Sequence, residues 1–278
     1  MSKKTIRFLA LITVLMLSGC GQQYMLERMI WQADKMAENI LASSDTAAPY
    51  VYNKTVALYE TVIAKTQDPQ LLLNAQFKLG KLHTAQKSFD KARDIYDKIF
   101  ISHQGRQEVS ALALFSKGQT FELEGKWPEA LAIFDEIIKK YRNTAQGLNV
   151  PLYIARYYGG KDDPVAARAA YARAVSYYEG IAQEYPNTKI ALLAYNLIVR
   201  TYVEQNDWQG AVRYIEGLDA KYSIGPETLF VLGGIYSKRL DNPGAALATY
   251  KKILERFPDF ANKAQVEKEI EQLSNGGG

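Results

Sequence analysis

Residues Ala111–Arg142, ALALFSKGQTFELEGKWPEALAIFDEIIKKYR, read as two short helices facing each other across a tight turn. In the first, Leu114, Gly118 and Phe121 recur at three- to four-residue spacing, the repeat of one helical face. In the second, Ala130, Phe134 and Ile137 do the same, and Gly125-Lys126-Trp127-Pro128 makes the turn between them. Gly118 and Ala130 are small enough for the two backbones to approach closely, while the aromatic rings fill the space beside them. One such hairpin cannot bury both of its apolar faces, so it requires neighbours.

The same register recurs along the chain. Leu79-Gly80, Lys117-Gly118, Ile154-Ala155, Ile198-Val199 and Leu232-Gly233 sit near the middle of successive first helices. Three residues after each pair comes His83, Phe121, Tyr158, Tyr202 or Tyr236. Each second helix then carries a small residue followed four on by a bulky one: Ala92 and Tyr96, Ala130 and Phe134, Ala174 and Tyr178, Ala211 and Ile215, Ala246 and Tyr250. Two units close with proline, at Tyr185-Pro186 and Phe257-Pro258. This pattern resembles the tetratricopeptide repeat, a helix-turn-helix unit of about 34 residues. The resemblance implies an all-α fold, a right-handed superhelical solenoid of tetratricopeptide-type repeats. It covers residues 70–258 well and 24–69 loosely. Spacings between the central positions are 38, 37, 44 and 34 residues, and the excess falls mostly in loops. The 44-residue interval instead implies a second helix lengthened by about two turns, within Asp163–Tyr185.

The ends read differently. Lys3, Lys4 and Arg7 precede the ten-residue apolar run Phe8–Leu17, and Leu17-Ser18-Gly19-Cys20 follows. That order is similar to a bacterial lipoprotein signal: residues 1–19 removed, and 20–23 a lipidated anchor beginning at Cys20. Cys20 is the only cysteine, which leaves no intramolecular disulfide. Acyl chains there would attach the protein to a membrane without a spanning helix. Gly21 and Gln22, not aspartate, follow the cysteine, and by resemblance this implies the outer membrane, periplasmic face. Formal net charge is +4, three of those charges lie in residues 1–19, and the remaining +1 does not argue for nucleic acid.

Residues 24–69 read as a helical hairpin, a divergent repeat. Its first helix places Met25, Met29, Ile30, Ala33, Met36, Ala37, Ile40 and Leu41 on one face. Mixed charge on the other face favours packing over lying on a membrane. Ala57, Tyr59 and Val62 are expected inward on the second. Residues 259–274 look like a polar-backed capping helix, and 275–278 like a flexible tail.

Catalytic and cofactor signatures are missing. The two histidines, His83 and His103, cannot make a zinc site without further clustered ligands, so no metal and no cofactor is expected. His83 occupies a slot that other repeats give to Tyr or Phe, which reads as packing. No nucleophile elbow, His-Glu-x-x-His helix or phosphate loop is present, and an enzyme is not expected. What remains is a binding surface. Carrying the family's groove positions across gives Asn74, Phe77 and Lys81, then Leu112, Phe115, Gln119 and Glu122, then Asn196 and Arg200, then Glu227, Phe230 and Lys238. Bare phenylalanines at 77, 115 and 230 would suit peptide anchors flanked by polar selectors. Anchor plus repeats resembles the outer-membrane lipoproteins of the BamD / CpoB (YbgF) group. That resemblance implies a lipid-anchored scaffold holding protein partners in an envelope complex, β-barrel assembly first among them. A pilotin or secretion-associated lipoprotein and a cell-wall accessory coordinator are the alternatives.

Overall fold

The computed structural model describes the backbone of residues 3–42, 48–161, 163–222 and 224–275, with side chains from residue 21 onward within those spans. The Cys20 side chain, those of residues 1–19, and residues 276–278 lie outside the described residues. Among the described residues the regular structure is helical throughout, in thirteen elements without a strand. Two compact units divide the chain, residues 1–150 and 151–278.

The first unit holds α1 (Lys3–Ala42), α2 (Pro49–Lys65), α3 (Pro69–Ala85), α4 (Phe89–Ser102), α5 (Gln107–Leu123) and α6 (Trp127–Lys140), each packed on the next. α7 (Ala145–Gly159) crosses the boundary between the units, which falls at Pro151 inside it. The second unit continues with α8 (Pro164–Glu184), α9 (Lys189–Glu204), α10 (Trp208–Tyr222), α11 (Pro226–Lys238), α12 (Pro243–Arg256) and α13 (Lys263–Asn275). From α8 to α13 each helix again packs on its successor.

Local chemistry sets the helix ends. Asp68 caps α3 by accepting from the backbone N–H of Gln70 at 2.8 Å, with Pro69 in the first helical turn. Asp163 and Asn242 do the same for α8 and α12, each before a proline. Helix exits follow one rule. Lys87, Gly125, Asn206 and Asp241 stand in the left-handed region between paired helices. There the N–H groups of Ser88, Lys126, Asp207 and Asn242 donate back to the carbonyls of His83, Phe121, Tyr202 and Tyr236. The aromatic-or-histidine slot is thus also where α3, α5, α9 and α11 close.

In α3–α4, α5–α6 and α11–α12 the paired helices meet at a glycine and a ring. A Cβ built on Gly118 would stand 2.5 Å from Phe134 Cε1, and on Gly80 or Gly233 it would stand 2.6 Å from Tyr96 or Tyr250. Those distances are inside van der Waals contact, so only glycine fits against these rings. Pro151 removes one N–H from α7, and the N–H of Leu152 donates to the buried Tyr178 hydroxyl at 3.2 Å. α8 runs 21 residues against 14 in α4, α6 and α12, the lengthening read from the 44-residue interval.

Several expected faces shift. α1 buries Leu26, Ile30, Ala33, Ala37 and Ile40 against α2 and α3, while Met25 is 58% exposed and Leu41 also faces solvent. Neighbouring residues sit about 100° apart on a helix, so Leu26 in place of Met25 turns the buried face by one position. On α2, Ala57 is exposed and Thr55 buried, its hydroxyl donating to the Val51 carbonyl at 2.8 Å. At the far end Asp259–Asn262 form turns, and α13 begins at Lys263 and includes Asn275. Val266 is its fully buried apolar residue, and Ala264 is exposed.

Candidate partner-binding grooves

The slot three residues before each central position decides how open the surface is. In α3, α5 and α11 it holds Phe77, Phe115 and Phe230, none of them bare. Each ring lies half-buried against the aromatic of its own second helix: Phe77 on Tyr96 at 6.3 Å, Phe115 on Phe134 at 5.6 Å, Phe230 on Tyr250 at 5.5 Å between centroids. These are plugs as much as anchors, and ring pairs at such distances are favourable beyond area alone. α7 puts the buried Leu152 in the slot. α9 puts Asn196 there, and its second-helix partner is Ile215, not a ring.

Where the plug is missing, a groove opens. Between α9 and α11 lies a cavity of about 710 Å³, walled by Leu192, Tyr195, Asn196, Val199, Arg200 and Val203 on one side. Leu218, Tyr222, Ile224, Glu227, Thr228 and Val231 form the other wall and floor. Leu192 is 61% exposed at its rim, and Tyr195 stacks on Tyr222 at 5.5 Å. Burial and the hydrogen bond to Tyr222 push the Tyr195 hydroxyl up to about 12, while Lys221 and Tyr195 pull Tyr222 down. Arg200 Nε donates to Glu204 at 2.9 Å, and Arg156 grips the same carboxylate through Nε and Nη2 at 2.8 and 2.6 Å. Arg156 first, then Arg200, hold the Glu204 carboxyl below its ordinary range against its partial burial. Two guanidinium groups share the one Glu204 carboxylate, and Glu227 stands on the opposite wall.

The first unit has a shallower counterpart between α3 and α5, about 430 Å³, lined by Phe77, Lys81, Tyr96, Leu112, Gln119 and Leu123, with Leu41 of α1 at its edge. The residues expected to share a groove therefore separate. Phe77, Lys81, Leu112 and Gln119 meet in one; Asn196, Arg200 and Glu227 meet in the other. Asn74 is exposed on α3, and Glu122 is half-buried on α5. Lys238 reaches the buried Glu269 of α13 at 3.1 Å, a pairing that sequence reasoning missed. It also missed Leu192, Tyr195, Tyr222 and Val231. The available signal was Asn196, polar where three other repeats have phenylalanine.

His83 is buried and its Nδ1 lies 2.7 Å from the Tyr52 hydroxyl. Among the described residues no three metal-ligating side chains converge, and no helix is long and apolar enough to cross a membrane.

Residues 74–102 and 112–144, which contain all of α4 and α6 and all but the first five residues of α3 and α5, match the family model described as tetratricopeptide repeat. Over those residues the chain matches the tetratricopeptide repeat. Such repeats indicate a protein–protein interaction scaffold and are typically non-catalytic. Among solved structures, the chain is similar to a tetratricopeptide-repeat protein of Thermus thermophilus (TM-score 0.41, 17% identity, 71% of this chain and 98% of that one). Another is the C-terminal part of a repeat-containing protein from Cytophaga hutchinsonii (0.42, 17%, 88% and 97%). A third comes from Parabacteroides merdae (0.38, 15%, 90% and 99%). No curated protein matches the sequence significantly.

Proposed function

We propose that this chain is a lipid-anchored, non-enzymatic scaffold of a bacterial envelope complex, attached through Cys20 at the periplasmic face of the outer membrane. It grips segments of protein partners in the groove between α9 and α11. The observation that carries the gripping half is the exposed apolar wall of that groove, Leu192, Tyr222 and Val231, beside Asn196 and the positively charged Arg200. Volumes of this size are ordinary for binding sites, and apolar walls with a few placed polar groups favour extended peptide. The anchor half is supported by Leu17-Ser18-Gly19-Cys20 after a basic and apolar start. Assembly of outer-membrane β-barrels is the specific version, in keeping with the BamD / CpoB (YbgF) resemblance.

Mild cross-linking and affinity purification of the protein from its own cells tests this, with Leu192→Asp and Val231→Asp as the controls. Recovery of a large β-barrel protein that those substitutions abolish is the expected result. A secretin in its place moves the reading to a pilotin, and cell-wall enzymes move it to a coordinator. Partners recovered equally well by the charged variants overturn the groove. A Cys20→Ala form that still fractionates with the outer membrane overturns the anchor.

A further inference from the structure

One row of α1 is left uncovered by the fold. Residue 20, Tyr24, Arg28, Trp31 and Lys35 follow one another by four, four, three and four positions along an unbroken helix. At about 100° per residue, these backbone positions fall within an arc of roughly 80°. The opposite face carries Leu26, Ile30, Ala33, Ala37 and Ile40 into the core. Tyr24 is 66% and Trp31 62% exposed, and Arg28 and Lys35 are exposed between and beyond them. Of the three tryptophans only Trp31 is exposed; Trp127 and Trp208 are half-buried in the repeats. Acidic neighbours flank the row: Lys35 pairs with Glu38 at 2.9 Å, and Glu27 accepts from Gln23 at 3.0 Å.

We infer that this row is a bilayer-contact surface, by which α1 lies along a phospholipid headgroup layer. Scattered exposed aliphatic residues need no explanation. A tryptophan and a tyrosine two turns apart, interleaved with arginine and lysine, have the chemistry of the headgroup region. Their rings take the apolar boundary, and the cations reach phosphates. The inference draws on the proposed anchor in one respect: acylation at residue 20 would tether this same row to the membrane. Along the helix axis Tyr24 then stands about 6 Å and Lys35 about 22 Å from the tether, at 1.5 Å per residue.

The test uses the chain from residue 20 onward with Cys20→Ala, so that neither acyl chains nor the run Phe8–Leu17 contribute. The packed core of α1 begins at Leu26 and is retained in that form. The probe is co-sedimentation with vesicles of phosphatidylethanolamine and phosphatidylglycerol. The unacylated chain should bind, and Tyr24→Ser with Trp31→Ser should lower partitioning roughly tenfold or more. Arg28→Gln and Lys35→Gln should each cost about fivefold on anionic vesicles and less on phosphatidylcholine. Trp31 emission should be quenched by brominated acyl chains. Absent vesicle binding, or binding that ignores both pairs of substitutions, overturns the inference. So does a self-association in ultracentrifugation that Trp31→Ser abolishes while vesicles have no effect, since the row then joins two copies. The mass of the N-terminal peptide isolated from cells reports the anchor separately. An unacylated residue 20 removes the anchor and leaves the vesicle result standing.

Discussion

The α3–α5 surface and the α9–α11 surface are built from the same register and behave oppositely. In the first unit glycine at the helix crossing admits a ring, and the ring seats a phenylalanine at the groove: Gly80, Tyr96 and Phe77 are one packed set, and Phe77 and Tyr96 take up part of the groove they line. In the second unit the crossing is Val199 with Ile215, and the plug slot is Asn196. An aliphatic pair offers no face for a ring to stack on, and a buried asparagine there would need hydrogen-bond partners. The slot stays polar and exposed, and 710 Å³ remains open where the counterpart has 430 Å³. Groove volume therefore follows the slot residue together with the helix crossing that seats it.

The sharpest way to break this comparison is to exchange the crossings. Gly118→Val puts in the first unit the residue the second already carries as Val199. Against an unmoved Phe134 it should cost about 3 kcal/mol, read as a lowered thermal midpoint. Phe115→Ala should cost about 2 kcal/mol, because a half-buried ring and its stacking partner are lost, and should leave partner recovery unchanged. If recovery falls instead, Phe115 is an anchor and not a plug. Asn196→Phe should close the open groove: partner affinity drops roughly tenfold, about 1.4 kcal/mol, with folding stability unaltered or raised. Unchanged affinity would separate groove volume from binding.

The smallest expected effect is a difference in acid response. Burial, then Lys91, lowers His83 from its ordinary value near 6.5, so the folded state disfavours the proton that the unfolded chain accepts. Its stabilising contribution is complete above about pH 6.5 and is lost as pH falls from there toward the lowered folded value. The same slot in the second unit holds Tyr202 and Tyr236; burial raises both, Tyr236 to about 12, so neither titrates in that window. There the carboxylates Glu204 and Asp219 respond to acid, and Asp219, which burial pushes up, is held by Lys252 and Arg256 below its ordinary 3.8. Its contribution persists to far lower pH and fades only as pH falls below that value. Corrected for the intrinsic exchange rate, amide protection in α3 should therefore fall as pH drops below about 6.5 while that in α9 is unaffected, and His83→Tyr should remove the difference.

Much of this was legible because it is local. The crossing residues Gly80, Gly118 and Gly233, their bulky partners four residues after a small one, and the prolines that close two units follow from spacing alone. The lengthened α8 was visible as an interval. What escaped depends on which of two similar neighbours turns inward. Met25 and Leu26 are both apolar, and only contact with α2 and α3 chooses between them. Thr55 is buried because its hydroxyl is satisfied by the preceding turn, which a polarity pattern reads as exposure. The open groove escaped because Leu192, Tyr222 and Val231 come from three helices, and no spacing along one helix brings them together.

The glycine–ring crossing also constrains how this chain can change across generations. Enlarging the glycine first drives a new methyl into the ring at 2.5 Å in the case of Gly118 and Phe134. Shrinking the ring first leaves a void costing a few kcal/mol, which a marginal protein can survive. Either first step costs on the order of a few kcal/mol, so a lineage passes from glycine-and-ring to valine-and-isoleucine only through a destabilised intermediate.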